Sequence, residues 1–309
     1  MPQVQKNILL KNHTTFRIGG RAKYFFVAKN KEDLISAVRT AKRLKLPFFI
    51  LGGGSNLLVS DRGYKGLVIK IQNTKYKIKN TEIMAGAGAI LGGLVNATAD
   101  RGLTGLEWAI GIPGTVGGAV LGNAGAFGRS MKDIVNEVDV LDAKAGKIKI
   151  FKNKSCEFSY RDSAFKHKKD LIILSATLQF KKGNKREIKN KINTYLENRG
   201  KTQPLSFPSA GSIFKNFTPY RACSGAGSAL KAVLKKFNGN DLIPAAYLIE
   251  KCGLKGRRIG MVKISEKHAN FIVNLGQGKT KDVKKLINLA KRKVKNKFGI
   301  VLEEEIRFL

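Results

Sequence analysis

Glycine is concentrated in one stretch of the chain beyond what ordinary packing requires. Thirteen glycines lie between Gly86 and Gly128. A residue without a side chain permits a positive φ angle or a close approach of the backbone to another group. The stretch therefore predicts backbone that lies against a ligand, or that turns repeatedly through left-handed conformations.

A second cluster, Gly52 to Gly54, follows the apolar segment 48–51 and precedes Ser55 and Asn56. A strand that runs into this cluster would expose several consecutive backbone N–H groups, and such a nest suits a diphosphate. The cluster lacks the Lys-Ser/Thr of a P-loop and does not match G-x-G-x-x-G. Taken alone, such a cluster after a strand is more often a simple turn than a ligand site.

The segment from Gly111 to Gly118 places small residues where a helix start would meet a ligand. A tightly packed contact between a helix and a strand is the alternative interpretation of the same pattern.

The net charge is +36, from 58 basic and 22 acidic residues in a chain of 309. Such a charge suggests a nucleic-acid partner or a cleft that attracts phosphates. The lysines are spread along the whole chain, however, and many fall on the outer faces of amphipathic helices. We therefore expect solvated surfaces and no nucleic-acid partner.

Three well-separated cysteines, Cys156, Cys223 and Cys252, predict reduced thiols, with neither a disulfide framework nor a metal site. No apolar run approaches the roughly 20 residues that span a bilayer, and no secretory signal is evident. The sequence thus predicts a cytoplasmic protein without a membrane partner.

Hydrophobic periodicity predicts alternating helices and strands. Helices are expected over 31–46, 226–237, 244–252 and 281–298, the last with Thr280 as N-cap and Gly299 as its stop. Strands are expected over 24–27, 48–51, 66–71, 134–141, 171–180 and 302–308.

Motifs along nearly the whole chain resemble the UDP-N-acetylenolpyruvoylglucosamine reductase family. They are NHTTFRIGG at 12–20, LGGGSNLL at 51–58, GLEWAIGIPGTVGG at 105–118, FSYRDS at 158–163, PSAGSIFKN at 208–216, SEKHANFIVN at 265–274 and LEEEIR at 302–307. Their order is far more specific than any one motif.

The resemblance implies an α+β fold. An FAD-binding part of the vanillyl-alcohol-oxidase type would comprise residues 1–71, with the tail 301–309 returning to it, and residues 72–200. A C-terminal α+β substrate-binding domain would comprise 201–300, with an insertion at 218–242 that we expect to be a surface loop. We expect a monomer of the family's shorter form, which lacks an extra tyrosine-bearing loop.

The resemblance also implies the chemistry. Members of the family are FAD-containing, NADPH-dependent oxidoreductases of peptidoglycan precursor synthesis. Hydride passes from NADPH to flavin N5 and then to the methylene carbon of the enolpyruvyl ether of UDP-N-acetylglucosamine, which yields UDP-N-acetylmuramate. FAD, NADPH and the UDP-sugar are the expected ligands.

Three residues match the family's catalytic positions. Arg161 would bind the substrate carboxylate, because a planar guanidinium suits bidentate contact. Ser212 would donate the proton, and Glu305 would help Arg161 to stabilise the enolate. Glu305 is chosen from the run 303–305 because Ile306 and Arg307 follow it, although the family has proline at the position of Glu304.

The remaining expected contacts follow from the same motifs. FAD would be bound by Thr15, Arg17, Gly19, Gly52, Gly53, Gly54, Ser55, Asn56, Leu57, Gly111, Pro113, Gly114, Thr115, Gly117, Gly118 and Ala119. The substrate would be bound by Lys215, Asn216, His268 and Asn270.

Two other functions compete with this interpretation. A flavin-dependent oxidase of small alcohols or acids would share the fold but has no need for this arginine, serine and glutamate. A basic nucleic-acid-binding protein without catalysis would explain only the charge.

Overall fold

The computed structural model describes residues 4–219, 228–237 and 242–309. The chain forms two compact units. The first contains the described residues up to Ile8, with 22–54 and 64–201; the second contains 9–21, 55–63 and the described residues from 202 onwards. Each unit has its own hydrophobic core. The expected division into domains 1–71, 72–200 and 201–300 stays a prediction.

The first unit combines helices with two larger sheets. Its helices are α1 (Lys31–Arg43), α2 (Leu91–Asp100), α3 (Val116–Leu121), α4 (Ala164–His167) and α5 (Lys185–Thr202). Its strands are β1 (Gln5–Leu9), β2 (Arg21–Ala28), β3 (Phe48–Leu51), β5 (Tyr64–Ile71), β6 (Tyr76–Lys79), β7 (Glu82–Gly86), β8 (Leu103–Thr104), β9 (Gly125–Ala126), β10 (Arg129–Ser130), β11 (Val135–Asp142), β12 (Lys147–Lys152), β13 (Leu171–Gln179) and β14 (Lys181–Lys182).

A four-stranded sheet in the order β1-β2-β5-β3 carries the glycine cluster 52–54 at the end of β3. β5 runs parallel to both β2 and β3. Leu67, Val68 and Ile69 of β5 are all buried, as is typical of a parallel strand covered on both faces. The expected strand 48–51 is confirmed as β3.

The other large sheet has the order β12-β11-β13-β7-β6, and its strands pair antiparallel. Helix α1 starts where expected, because the side chain of Asn30 accepts a hydrogen bond from the amide of Asp33. It ends at Arg43 rather than Leu46, since Lys45 adopts a positive φ of 50° just before Pro47.

The second unit contains a sheet in the order β15-β18-β17-β16 and the pair β19-β4. Its elements are β4 (Leu57–Leu58), β15 (Ser209–Ser212), α6 (Ser228–Lys236), α7 (Ala245–Lys251), β16 (Arg258–Ile259), β17 (Val262–Ile264), β18 (Phe271–Asn274), α8 (Thr280–Phe298) and β19 (Arg307–Phe308). None of the helices in the described ranges is both long and apolar enough to cross a membrane.

The start of α8 differs from its predicted cap. Thr280 is the first helical residue and Lys279 precedes it, without a capping side chain. The carboxylate of Asp61 instead accepts hydrogen bonds from the amides of Thr280 and Lys281, at 3.0 and 3.4 Å. The predicted stop is confirmed, because Gly299 ends the helix with a φ of 72°.

The predicted strand over 302–308 is shorter than expected, since only Arg307–Phe308 forms one, parallel to Leu57–Leu58. Of the insertion, residues 220–227, with Cys223, and 238–241 lie outside the described residues. The expectation of a surface loop is wrong for the described part. α6 buries Leu230 and Val233 in the core of the second unit.

Candidate active site

The two glycine segments of the first unit contact each other. A Cβ atom added to Gly53 would lie 2.7 Å from the Cα atom of Gly114, and one added to Gly52 would lie 2.7 Å from Oγ1 of Thr115. Gly54 and Gly114 also have φ angles of 66° and 132°. The structure thus brings these predicted FAD residues together, and glycine is needed because the two backbones approach so closely.

The cluster 52–54 fits a diphosphate. Among the described residues, no acceptor is bonded to the backbone N–H groups of Gly53 and Gly54. The ammonium group of Lys70 donates to the carbonyl of Gly52 at 2.5 Å and brings a positive charge to the loop. Burial lowers the pKa of Lys70. Unused amides beside a cation are what an anionic diphosphate requires.

Sequence reasoning did not identify Lys70. The available signal was its position as the polar residue in the otherwise apolar run 67–71, directly beside β3 in the sheet.

The start of α3 differs from the cluster 52–54, because its backbone amides already donate hydrogen bonds within the protein. The amide of Gly117 donates to the carbonyl of Ala87 at 2.9 Å, and that of Gly118 donates to Oγ1 of Thr115 at 3.4 Å. A Cβ atom on Gly117 would lie 2.8 Å from that of Ala87. Tight packing therefore accounts for glycine at this position, and contacts of FAD with Gly117, Gly118, Ala119 and Pro113 stay predictions.

Gly111 has a φ of 71°, and an added Cβ atom would lie 2.9 Å from Cδ of Arg199. Its need for glycine follows from this turn and from its packing against α5. A contact between Gly111 and FAD likewise stays a prediction.

Arg161 occupies a strained backbone position in a tight turn. Its φ of 56° is left-handed, which costs a non-glycine residue roughly 1–2 kcal/mol. Ser159 and Asp162 exchange backbone hydrogen bonds around it, at 3.1 and 3.2 Å. Strained backbone of this kind is concentrated at functional sites. Here the turn fixes the direction in which the Arg161 side chain leaves the backbone.

The neighbouring Asp162 carboxylate is bonded to Nε2 of His167 at 2.8 Å. Burial raises the pKa of Asp162, but the hydrogen bonds from His167 and from the amide of Ser163 outweigh it and hold the pKa below its ordinary value.

In the second unit, the predicted FAD residues 15–19 pack beside the strands that carry the substrate motifs. The hydroxyl of Thr15 donates to the carbonyl of Ser209 at 2.8 Å. The side-chain amide of Asn274 donates to the carbonyl of Arg17, whose φ is 53°, at 3.3 Å. A Cβ atom on Gly19 would lie 2.5 Å from that of Val59.

Asn56 lies against the C-terminal tail. Its side-chain amide donates to the carbonyl of Glu305 at 3.0 Å, and its carbonyl accepts from the amide of Arg307 at the same distance. Leu57 is buried and pairs with Arg307, whereas Ser55 is half-buried. The asparagine thus holds the segment that carries the predicted catalytic glutamate.

Ser212 and Glu305 are brought together in the second unit. The amide of Glu305 donates to the carbonyl of Ile213 at 2.8 Å, and that of Lys215 donates to the carbonyl of Glu303 at 2.9 Å. The two segments therefore run antiparallel. Gly211, with a φ of 75°, has open space where its side chain would be, so a ligand has room to approach Ser212.

The buried amide of Asn270 fixes the backbone beside Ser212. It accepts from the amide of Phe214 at 2.9 Å and donates to the carbonyl of the same residue at 2.8 Å. The Asn270 residue is only 3% exposed. These contacts give Asn270 a role in positioning the Ser212 segment, and the expected substrate contact stays a prediction.

Lys215 forms an ion pair with Glu303, with Nζ 2.8 Å from Oε1. Oδ1 of Asn216 accepts from the amide of Ala245 at 3.2 Å, at the start of α7. Nδ1 of His268 accepts from the amide of Asn270 at 3.3 Å, and its ring packs edge-on against Phe271. These three contacts show a polar cluster around the Ser212 segment; substrate binding by its members stays a prediction.

Two family models match this chain, one towards its N-terminus and one towards its C-terminus. The model of the UDP-N-acetylenolpyruvoylglucosamine reductase C-terminal domain matches residues 203–309, and that of an FAD binding domain matches 22–151. The UDP-N-acetylenolpyruvoylglucosamine reductase of Caldanaerobacter subterraneus subsp. tengcongensis is 41% identical, across 97% of this chain and 91% of that protein. That of Caldicellulosiruptor bescii is also 41% identical, across 97% and 88%.

Among solved structures, UDP-N-acetylenolpyruvylglucosamine reductase from Thermus caldophilus is similar, with a TM-score of 0.79 and 34% identity. The match covers 99% of this chain and 98% of that one. The expected fold class is thereby confirmed. The chain belongs to the UDP-N-acetylenolpyruvoylglucosamine reductase family, whose members are FAD-containing oxidoreductases.

Proposed function

We propose that the protein reduces the enolpyruvyl ether of UDP-N-acetylglucosamine to UDP-N-acetylmuramate, with NADPH as reductant. The observation that carries the proposal is the backbone hydrogen bond from Glu305 to Ile213, the residue next to Ser212, in a chain that is similar to these reductases over nearly its full length. When bound, FAD supplies hydride chemistry between NADPH and the enolpyruvyl group.

Arg161 binds the carboxylate of the enolpyruvyl group. When a hydride equivalent reaches the methylene carbon, negative charge develops on the adjacent carbon and spreads into that carboxylate. A guanidinium that is already oriented towards this charge lowers the barrier, because no free energy is spent on reorienting it during the reaction. The strained turn around Arg161 supports such a fixed orientation.

The hydroxyl of Ser212 donates the proton that completes the reduction. A hydroxyl is a weak acid, but the accepting carbon is far more basic, so the transfer runs downhill. Glu305 helps Arg161 to stabilise the enolate. Asn270 and Asn56 support the proposal because they hold the backbones of these two segments in place.

The glycine cluster and Lys70 hold the FAD diphosphate, and Lys215 binds an anionic group of the substrate, for which Glu303 is the present partner. We further propose a cytoplasmic monomer that binds no nucleic acid. Size-exclusion chromatography with light scattering tests the oligomeric state, and a salt-dependent gel shift tests the last point.

Steady-state kinetics test the proposed reaction. With FAD supplied, NADPH oxidation should depend on the enolpyruvyl sugar nucleotide, and the product should be UDP-N-acetylmuramate. The Ser212→Ala variant should retain its flavin absorbance and lose about 10²–10⁴-fold in kcat. A purified protein that binds no flavin, or that oxidises NADPH equally well without the sugar nucleotide, would contradict the proposal.

A further inference from the structure

The side chain of Asn123 connects two backbone segments of the first unit. Asn123 lies just after α3 and is only 5% exposed. Its Nδ2 atom donates to the carbonyl of Ser159 at 2.8 Å, and its Oδ1 atom accepts from the amide of Lys132 at 2.9 Å. Because both ends of the side-chain amide are bonded to backbone, this side chain is held in one orientation.

The carbonyl of Ser159 is also the group that closes the turn around Arg161. It accepts from the amide of Asp162 at 3.2 Å, and the amide of Ser159 donates to the carbonyl of Asp162 at 3.1 Å. The bond from Asn123 is shorter than either of these bonds. Asn123 therefore ties the turn 159–162 to the end of α3, so that the turn does not depend on its own two bonds alone.

A second contact ties the other side of the same turn. The hydroxyl of Ser163, a buried residue, donates to the carbonyl of Leu121 at 2.8 Å. Leu121 is the last residue of α3. The residues on both sides of Arg161 are thus held at one helix end, which fixes the position of the Arg161 backbone between them.

The backbone conformation of Asn123 does not by itself explain an asparagine. Its φ of 41° lies in the left-handed region, which asparagine tolerates but which glycine adopts more readily. Glycine could not donate to the carbonyl of Ser159. Aspartate could accept from the amide of Lys132 but has no donor for Ser159 when ionised. The bridge to the turn is what requires an asparagine side chain.

We propose that Asn123 is a positioning residue for Arg161. By holding the turn 159–162, it sets the direction in which the guanidinium meets the carboxylate of the enolpyruvyl group. The inference rests on the proposed function for the role of Arg161. A charged group that is displaced by about 1 Å from a reacting centre can lose a large part of its effect on the rate.

Asn123→Gly tests the inference, because it permits the same backbone conformation and removes the bridge. In the FAD-loaded enzyme its kcat should fall by about 10- to 100-fold. Calorimetry should show weaker binding of the enolpyruvyl sugar nucleotide but unchanged binding of UDP-N-acetylglucosamine, which has no carboxylate. Asn123→Asp, which keeps the shape and loses only the donor to Ser159, should show the same selective loss and serves if the glycine variant does not fold.

Asn153→Ala is the matched control. The side-chain amide of Asn153 also joins backbone segments, since it donates to the carbonyls of Lys132 and Val135 at 2.9 and 2.7 Å. Its removal should cost stability of the same order as the removal of the Asn123 bridge. The control should nevertheless keep wild-type kcat and wild-type affinity for both nucleotides.

A double-mutant cycle separates positioning from a general structural role. If Asn123 acts through Arg161, adding Asn123→Gly to Arg161→Met should lower kcat no further than Arg161→Met alone. Multiplied losses in the double variant would overturn the proposal. Equal weakening of both nucleotides by Asn123→Gly, or wild-type kcat in that variant, would overturn it as well.

Hydrogen exchange of the amides of Ser159 and Asp162 reports on the turn without any turnover. Both amides should exchange faster in Asn123→Gly than in wild type, and unchanged exchange would show that Asn123 does not hold the turn. If wild type shows no turnover with the enolpyruvyl sugar nucleotide, the proposed function fails. Faster exchange in the variant would then still establish the hold on the Arg161 backbone.

Discussion

The backbone amide of Glu305 donates a hydrogen bond of 2.8 Å to the carbonyl of Ile213. Because Ile213 follows Ser212 directly, this bond ties the proposed carboxylate and the proposed proton donor to one pair of antiparallel segments. The buried side chain of Asn270 forms two hydrogen bonds with the backbone of Phe214 in the same segment. The relative position of the two reacting groups is thus set by backbone contacts rather than by flexible side chains.

Asn270→Asp should disturb this arrangement with almost no change in shape. The new carboxylate oxygen would face the carbonyl of Phe214, which now accepts a hydrogen bond of 2.8 Å. A buried charge without a partner should reduce the free energy of unfolding by about 3–5 kcal/mol. Chemical denaturation measures the loss, and kcat of the folded fraction should fall because Ser212 is displaced. Unchanged stability would contradict the role given to Asn270.

Glu304 and Glu305 should respond differently to the same substitution. Oε1 of Glu304 forms an ion pair of 2.6 Å with Lys291, and both side chains are partly exposed. Glu304→Gln should therefore change stability by no more than about 1 kcal/mol and leave kcat nearly unchanged. Glu305→Gln should lower kcat by about 10²–10⁴-fold with flavin retained. The reverse pattern in steady-state kinetics would move the catalytic role to Glu304.

Gly53→Ala should weaken FAD binding, because the added methyl group would lie 2.7 Å from the Cα atom of Gly114. The overpacking should lower the free energy of unfolding by about 1–3 kcal/mol. Flavin fluorescence titration gives the affinity, and thermal unfolding of the apoprotein gives the stability.

Gly92→Ala in α2 is the matched control for Gly53→Ala, since nothing lies within 4 Å of an added Cβ atom there. It should stabilise the helix by roughly 0.5–1 kcal/mol and leave FAD affinity unchanged. Equal effects of both variants on FAD affinity would show that the contact between Gly53 and Gly114 does not shape the site.

His268 should make the fold sensitive to mild acid. Burial lowers the pKa of His268 below its ordinary value of 6.5, and the charge of Lys255 lowers it further, while a backbone hydrogen bond and the charge of Glu250 oppose the shift without cancelling it. The unfolded chain therefore binds a proton more readily than the folded one, so stability is full above pH 6.5 and falls as the pH drops towards the folded pKa.

The His268→Asn variant keeps an acceptor for the amide of Asn270 but cannot titrate. Its free energy of unfolding, measured between pH 5 and pH 8, should decline less towards acid than that of wild type. Parallel curves for the two proteins would contradict the predicted shift.

The sequence was most informative where local chemistry decides the structure. The strand 48–51 was predicted from a buried apolar run, and the end of α8 from a glycine that adopts a positive φ. Both signals depend only on residues that are close in the sequence. The prediction of Thr280 as the N-cap of α8 was wrong. The carboxylate of Asp61, more than two hundred residues earlier, accepts the hydrogen bond from the first amide of the helix.

Lys70 and Arg199 could not be singled out among the 58 basic residues of the sequence, because their positions depend on long-range contacts. Arg199 lies on a helix whose other charged residues are mostly exposed, so periodicity alone places it on a solvated surface. Its burial depends on Trp108 and Phe127, which are about 70 to 90 positions away in the chain. The family motifs identified Arg161, Ser212 and Glu305 as candidates, but only the three-dimensional contacts indicate what holds each one.

The proposed reaction is tested most directly by a spectral titration of the purified, FAD-loaded protein without oxygen. NADPH should bleach the flavin absorbance, and the enolpyruvyl sugar nucleotide should restore it in equal molar amount, with UDP-N-acetylmuramate formed. If the bleached flavin persists after the sugar nucleotide is added and recovers only with another acceptor, the protein is not this reductase.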